Sequence, residues 1–268
     1  MPGHGPAALS QETADGNLVT HMTWVQSRLP GGHVELGEDL VLSDSGLPCD
    51  SFNFVCRARM NLGAAAAVAR VVKYFISAGR PFSWWVGPAD RPADLGRALL
   101  DAGFAAAESE LAMTADLDRL GSADLAPGGL RIERATTPQR IRDFAVVNAA
   151  NWSPPDAQVL RFYELAAPIL ASPEAPLRLY VGYLGGEGVA TSELTVSEGA
   201  VGLYNISTVE AHRRKGIGSA LTLRPLVDAR AEGHRLAVLQ ASEDGQGVYA
   251  RIGFRATGRY TEYQLPRA

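Results

Sequence analysis

Lysine is nearly missing from this 268-residue chain: Lys73 and Lys215 are its only two, and arginine supplies the rest of the 25 basic residues. That imbalance reads as coding bias toward GC-rich codons and carries no function. Cysteine is as scarce, with Cys49 and Cys56 alone. Two cysteines build no disulfide scaffold, and no metal-ligand spacing surrounds them, so both are expected as small core residues and no metal is expected. No uninterrupted apolar run reaches membrane-spanning length, since the best stretch is broken by Arg70 and Lys73. No basic-then-apolar leader opens the sequence, whose first Arg or Lys is Arg28. A cytoplasmic protein with no membrane partner is therefore expected. Positive charge is not in excess either: the formal net charge is -4, which argues against a nucleic-acid-binding surface.

What remains is a globular composition, 46% hydrophobic and 20% charged, long enough for one large domain or two ordinary ones. Residues 1–16 are rich in Gly, Pro and Ala and are expected to fray. Leu18–Leu29 has a helical face ended by Pro30-Gly31-Gly32. Short strands are expected at 34–36, 40–43 and 52–58, then an Ala-rich helix at 62–78, a Trp-containing strand at 82–86, a helix at 93–102 and a strand around 110–113. Leu120–Gly129 reads as a linker. A second cycle follows: strand 130–134, helices 138–151 and 156–170, strands 177–184, 189–196 and 201–209, helix 218–231 with Pro225 inside it, strand 236–240, a short helix 247–252 and a last strand 255–265. The two halves share an order of elements, and Gly103-Phe104 precedes Gly253-Phe254 by 150 residues. This predicts a duplicated α/β architecture: a domain at 1–120, a linker at 121–129 and a second domain at 130–268.

The richest stretch runs from Val201 to Leu221. A β-prone run leads into a turn with two arginines, a lysine and two glycines, and a helix follows. Glycine lets a backbone turn tightly and approach a ligand. A helix N-terminus offers unpaired N–H groups and the positive end of a dipole, which suits an anion such as a pyrophosphate. Arg213-Arg214-Lys215-Gly216-Ile217-Gly218 fits the pattern R/Q-x-x-G-x-G/A, and Val248-Tyr249-Ala250-Arg251-Ile252-Gly253-Phe254 lies downstream. Together these resemble the acyl-CoA loop and second signature of the GNAT superfamily of N-acetyltransferases, over about half the chain.

The resemblance implies two GNAT-like domains, each a mixed, mostly antiparallel sheet flanked by helices, with only the second catalytic. The first half has no basic two-glycine turn, and Leu99 stands 150 residues before Tyr249. In the second half, strands 201–209 and 236–240 would splay to admit acetyl-CoA. Main-chain groups at Ser207 and Val209 would pair with its pantetheine arm, and N–H groups from Arg213, Arg214, Lys215, Gly216, Ile217, Gly218 and Ser219 would hold its pyrophosphate. Tyr249 would protonate the departing thiolate. Ser242 stands where relatives often keep an asparagine, and Glu210 where proline is frequent; Glu210 is expected to point to solvent or to pair with an arginine. Glu193 is the candidate general base, against a plain outward-facing strand residue; His212, Glu187 and Asn205 are alternatives. Trp152, Phe162 and Tyr163 would line an acceptor pocket or simply pack in the core.

Three functional readings follow. The first is an N-acetyltransferase acting on a small-molecule or peptide amine, as a monomer or homodimer. The second is a non-catalytic acyl-CoA sensor or scaffold. The third is an aminoacyl transferase fed by charged tRNA, which the acidic net charge and the CoA-type turn disfavour.

Overall fold

The computed structural model describes residues 6–61, 64–121 and 127–266. They divide into two compact units, residues 1–111 with 258–268, and residues 112–257.

The first unit opens with helix α1 (Pro6–Thr23) and a 3-10 turn (Gln26–Arg28). Strands β1 (His33–Leu36), β2 (Val41–Asp44) and β3 (Phe54–Cys56) follow, then helix α2 (Ala64–Ala78), strand β4 (Ser83–Val86), helix α3 (Leu95–Asp101) and strand β5 (Ala105–Asp116). α2 buries Val68, Val71 and Phe75, one helical stripe, and Gly79 ends it at a left-handed φ of 65°. That stripe packs on Leu42, Val55, Trp84, Leu99 and Phe104, with Phe75 stacked on Phe82 at 4.3 Å.

The second unit contains strand β6 (Arg131–Arg134), helices α4 (Pro138–Ala149) and α5 (Ala157–Leu170), and strands β7 (Leu177–Leu184), β8 (Glu187–Ser197) and β9 (Ala200–Thr208). Helix α6 (Ile217–Ala231), strand β10 (Leu236–Ala241) and helix α7 (Glu243–Ile252) complete it, and strand β11 (Arg255–Gln264) closes the chain. Thr137 and Asp156 cap α4 and α5 through their side-chain oxygens, as their sequences invite.

The duplication is visible in the ladders. β1–β2 and β2–β3 are antiparallel and β3–β4 parallel; β7–β8 and β8–β9 are antiparallel and β9–β10 parallel. Strand order in the first unit is β1-β2-β3-β4-β11-β5, and in the second β5-β10-β9-β8-β7-β6. The strand beside β4 is thus β11, from the end of the chain, and the strand beside β10 is β5. This corrects the expected boundaries: 258–268 belongs with the first unit and 112–120 with the second. The reason is in the packing. Tyr263 and Leu265 sit against the first unit's core, and the Tyr263 ring lies so close to Gly96 that a Cβ there would meet its hydroxyl at 2.3 Å. Of the expected linker 121–129, residues 122–126 lie outside the described residues, as do Leu62 and Gly63 at the expected start of α2.

The N-terminal expectation also needs correction. Residues 1–5 lie outside the described residues, but α1 begins at Pro6 and ends at Thr23 instead of running from Leu18 to Leu29. Distant partners hold it. Asp15 accepts from Arg59 (2.5 Å) and Tyr260 (2.6 Å), and Ser43 donates to the Met22 carbonyl (2.6 Å). The strand at 52–58 shortens to Phe54–Cys56 behind a 3-10 turn, and the strand near 110–113 lengthens to twelve residues. Cys49 and Cys56 are buried and not joined in a disulfide, in keeping with the expected small core residues. Trp84 is fully buried and its neighbour Trp85 half-buried.

Candidate active site

β9 and β10 pair in parallel only at Val201–Leu203 with Ala237–Leu239, although β9 continues to Thr208 and β10 to Ala241. The two strands therefore part beyond Leu203, on the side where the Gly-rich turn lies. A 3-10 turn (Glu210–His212) leads into Arg213, and Gly216 is the N-cap of α6. Arg214 (φ 58°) and Gly216 (φ 80°) are both left-handed, a backbone path that gathers successive N–H groups into an anion-sized concavity. The first turn of α6 adds N–H groups with no partner inside the helix, the first internal acceptor being Gly216 C=O, bound by the Ala220 N–H. Arg213, Arg214, Lys215 and Gly216 are exposed, Gly218 and Ser219 half-buried, and Ile217 is a core residue. An added Cβ at Gly218 would meet nothing nearer than Thr208 Oγ1 at 3.7 Å, so the concavity is open at that point. These residues fit a pyrophosphate. Two of the cations are partly engaged already: Arg213 Nε donates to Thr208 C=O (3.0 Å) and Lys215 Nζ to Ala211 C=O (2.8 Å).

Val209 is not open for pairing with a ligand. Its N–H donates to Val189 C=O (3.0 Å), and its C=O accepts from the His212 N–H (2.9 Å). Main-chain groups alternate sides along a strand, so the outward-facing position is the preceding residue, Thr208. Ser207 is buried and donates its hydroxyl to Asn151 Oδ1 (2.8 Å). Ser242 is exposed at the N-cap of α7, with its carbonyl accepting from the Gly245 and Gln246 N–H groups.

On β8, alternation sends Ser192 and Glu193 to opposite faces. Ser192 Oγ donates to Leu221 C=O on α6 (2.7 Å). This carbonyl lies four residues before Pro225, which has no N–H to give it, so Ser192 supplies the donor the proline removes. Glu193 is only 2% exposed. Its Oε1 accepts from Thr195 Oγ1 (2.8 Å) and its Oε2 from Asn205 Nδ2 (3.0 Å). Glu193 is therefore buried and hydrogen-bonded and is not the outward-facing strand residue that was the alternative.

Asn205 sits where the β8–β9 register slips: Thr191 pairs with Ser207 but Glu193 with Tyr204, so two residues of β9 oppose Ser192. Asn205 is left-handed at φ 49°, and its carbonyl accepts from Thr191 Oγ1 (2.9 Å). Its amide also reaches the hydroxyl of Tyr163 on α5 (3.3 Å). An amide cannot take a proton at neutral pH, so Asn205 drops out as a base. Glu187 is exposed at the β7–β8 turn, and His212 lies in the basic turn with Nδ1 buried and unpartnered among the described residues.

Tyr163 is also 2% exposed, its ring edge-on to Phe144 and Phe162 at 5.1 and 5.3 Å. Burial first, and then the charge of Glu193, push its phenol well above the ordinary tyrosine range, so it stays protonated. Phe162 is core, while Trp152 is 44% exposed after α4. A groove of about 570 Å³ runs between α4 and α5, lined by Arg142, Val146, Leu160, Arg161, Glu164 and Tyr163 among others. Tyr163 thus joins the groove to the Glu193 cluster. Tyr249 lies on α7, half-buried, its ring 6.1 Å from Phe254 and against Gly245, where a Cβ would meet it at 2.7 Å. Sequence reasoning passed over Thr195, Asn151 and the bulge. The period-2 spacing of Glu193 and Thr195 was the one signal that linked any of them.

Among the described residues no group of three or more His, Cys, Asp or Glu is placed to hold a metal ion, and no helix is long and apolar enough to cross a membrane. The model of the Acetyltransferase (GNAT) domain matches residues 116–264. An uncharacterized N-acetyltransferase of Streptomyces avermitilis is 37% identical over 75 residues, 26% of this chain and 18% of that relative's length. A GCN5-related N-acetyltransferase from Kribbella flavida shares the fold over 97% of this chain and 96% of its own, with a TM-score of 0.72 at 17% identity. A tandem GNAT protein from the clavulanic acid biosynthesis pathway covers 96% of each chain, with a TM-score of 0.56 at 15% identity.

Proposed function

The chain belongs to the GNAT acetyltransferase family, a family that uses acetyl-CoA, and on that premise we propose that it transfers an acetyl group from acetyl-CoA directly to a primary amine of a small molecule or peptide. One observation carries the reading: a buried carboxylate, Glu193, is held by two donors on a strand that neighbours the strand feeding the Gly216–Gly218 turn.

In this reading the pyrophosphate rests on N–H groups from Arg214 to Ser219, the Arg213 N–H being taken by Glu210 C=O (3.1 Å), with Arg213, Arg214 and Lys215 adding charge. The pantetheine arm enters where β9 and β10 part, pairing with the main chain at Thr208, since Ser207 faces β8 as Val209 does, and Ser242 flanks it. The amine approaches along the groove that Tyr163 shares with the Glu193 cluster. Glu193 takes the ammonium proton, and the freed lone pair attacks the thioester carbonyl. The C–N bond forms, the C–S bond breaks, Tyr249 gives its phenolic proton to the leaving thiolate, the acylated nitrogen returns its remaining extra proton to the Tyr249 phenolate, and Glu193 releases its proton to solvent. Holding both reactants side by side supplies much of the rate. A cytoplasmic location and a monomeric or homodimeric state belong to the same reading.

The test is thiol release from acetyl-CoA with a panel of polyamines, amino acids, peptides and aminoglycosides. An acceptor that drives release, with Glu193→Gln and Tyr249→Phe each lowering kcat about 10²–10⁴-fold and leaving acetyl-CoA affinity intact, is the expected result. Binding of acetyl-CoA with no thioester loss across the panel would favour the sensor reading instead.

A further inference from the structure

We propose that Asn205 is a positioning residue, built into the β9 bulge so that its amide fixes the Glu193 carboxylate and keeps it ionised for proton abstraction; the inference rests on Glu193 being the base. Three independent features converge on it. Its backbone is left-handed at φ 49°, a conformation most side chains avoid and asparagine tolerates. The bulge places it opposite Ser192, next to Glu193 on β8, and Thr191 Oγ1 locks its carbonyl in place (2.9 Å). Its Nδ2 then spans two groups, Glu193 Oε2 at 3.0 Å and Tyr163 Oη at 3.3 Å.

The division of labour follows from hydrogen-bond chemistry. An ionised carboxylate only accepts, so every donor aimed at it stabilises the charged form. Thr195 from β8 serves Oε1 and Asn205 from β9 serves Oε2. The titratable group set against Glu193 from α5 is Tyr163, which is neutral and adds no charge. In this dry site Asn205 does for the carboxylate what water does elsewhere. Without the amide, Glu193 would hold its own proton more tightly and would be free to rotate away from the acceptor amine.

Two substitutions separate this role from simple packing. Asn205→Gly keeps the left-handed backbone without strain and deletes the amide. Asn205→Asp keeps the shape and places a second carboxylate against the first. The readout is the titration of the Glu193 side chain, followed by NMR on full-length protein labelled at the glutamate carboxyl carbon and assigned by loss of its signal in Glu193→Gln. We expect the Glu193 midpoint to rise by about one unit in Asn205→Gly and further in Asn205→Asp. The acid limb of kcat/KM should move with it for an acceptor found in the amine panel. A midpoint that stays in place in Asn205→Gly overturns the inference, even if activity falls along with melting temperature. Failure of the base assignment looks different: Glu193→Gln would then keep its turnover, whatever Asn205 does to the titration.

Discussion

Ser192 and Pro225 form a pair whose coupling can be worked out from the hydrogen bonds. Leu221 C=O loses its helical donor because Pro225 has no N–H, and Ser192 Oγ replaces it at 2.7 Å in a fully buried position. Ser192→Ala leaves that carbonyl without a donor in a dry interior, which costs about 1–3 kcal/mol. For a folded unit of this size, each kcal/mol lowers the melting temperature by roughly 2–4 °C. Pro225→Ala returns an N–H at the i+4 position, so Leu221 C=O can bond within the helix. In that background Ser192→Ala should cost only about 0.5–1 kcal/mol, the net worth of one ordinary hydrogen bond. Urea unfolding of the four proteins in the cycle gives the coupling, expected at about 1 kcal/mol or more. Additivity within about 0.3 kcal/mol would refute the reasoning and mean that the serine is not the proline's substitute donor. The pair matters for function because it pins β8, which carries Glu193, to α6, which carries the Gly-rich turn.

Other outcomes can be stated more briefly. Arg59 bridges Asp15 (2.5 Å) and Asp90 (2.6 Å), both nearly buried, so Arg59→Met removes the cation they share, leaves them only neutral donors such as Tyr260 and the Gly87 N–H, and should destabilise the protein by about 3 kcal/mol in urea melts. Burial first, then the charges of Glu108 and Glu262, push the Glu110 carboxyl up to about 7. Since the folded value lies above the unfolded one, the folded protein holds that proton more tightly, and stability from this group is lost as pH rises through about 7. Glu110→Gln should therefore stabilise by about 1–3 kcal/mol at pH 8 and change little at pH 5, read from unfolding curves at both pH values.

Much of the second unit is legible in the sequence because local chemistry decides it. β7 runs over the expected 177–184, and Pro138 and the caps at Thr137 and Asp156 mark the helix starts. The Gly-rich turn is readable because its function lies in backbone conformation, which glycine spacing advertises. What stays hidden depends on distant partners. α1 is anchored by Asp15 to Arg59 and Tyr260, residues far along the chain. β11 pairs with β4 because Tyr263 and Leu265 find that core, and no local pattern distinguishes this from pairing within its own half. The bulge at Asn205 shifts the register by one, and the main-chain bonds of Val209 move the open position to Thr208; periodicity alone cannot show either. Glu193 is readable as a candidate, but its burial follows only with Thr195 and Asn205 in place.

The most direct measurement is a calorimetric titration of acetyl-CoA into the full-length protein and into Gly216→Val. The account predicts one site per chain in the parent. It predicts loss of measurable affinity in the variant, because a β-branched residue is forced out of the φ of 80° that shapes the turn. Two sites, or binding that survives Gly216→Val, would place acetyl-CoA somewhere other than this cradle and contradict the account.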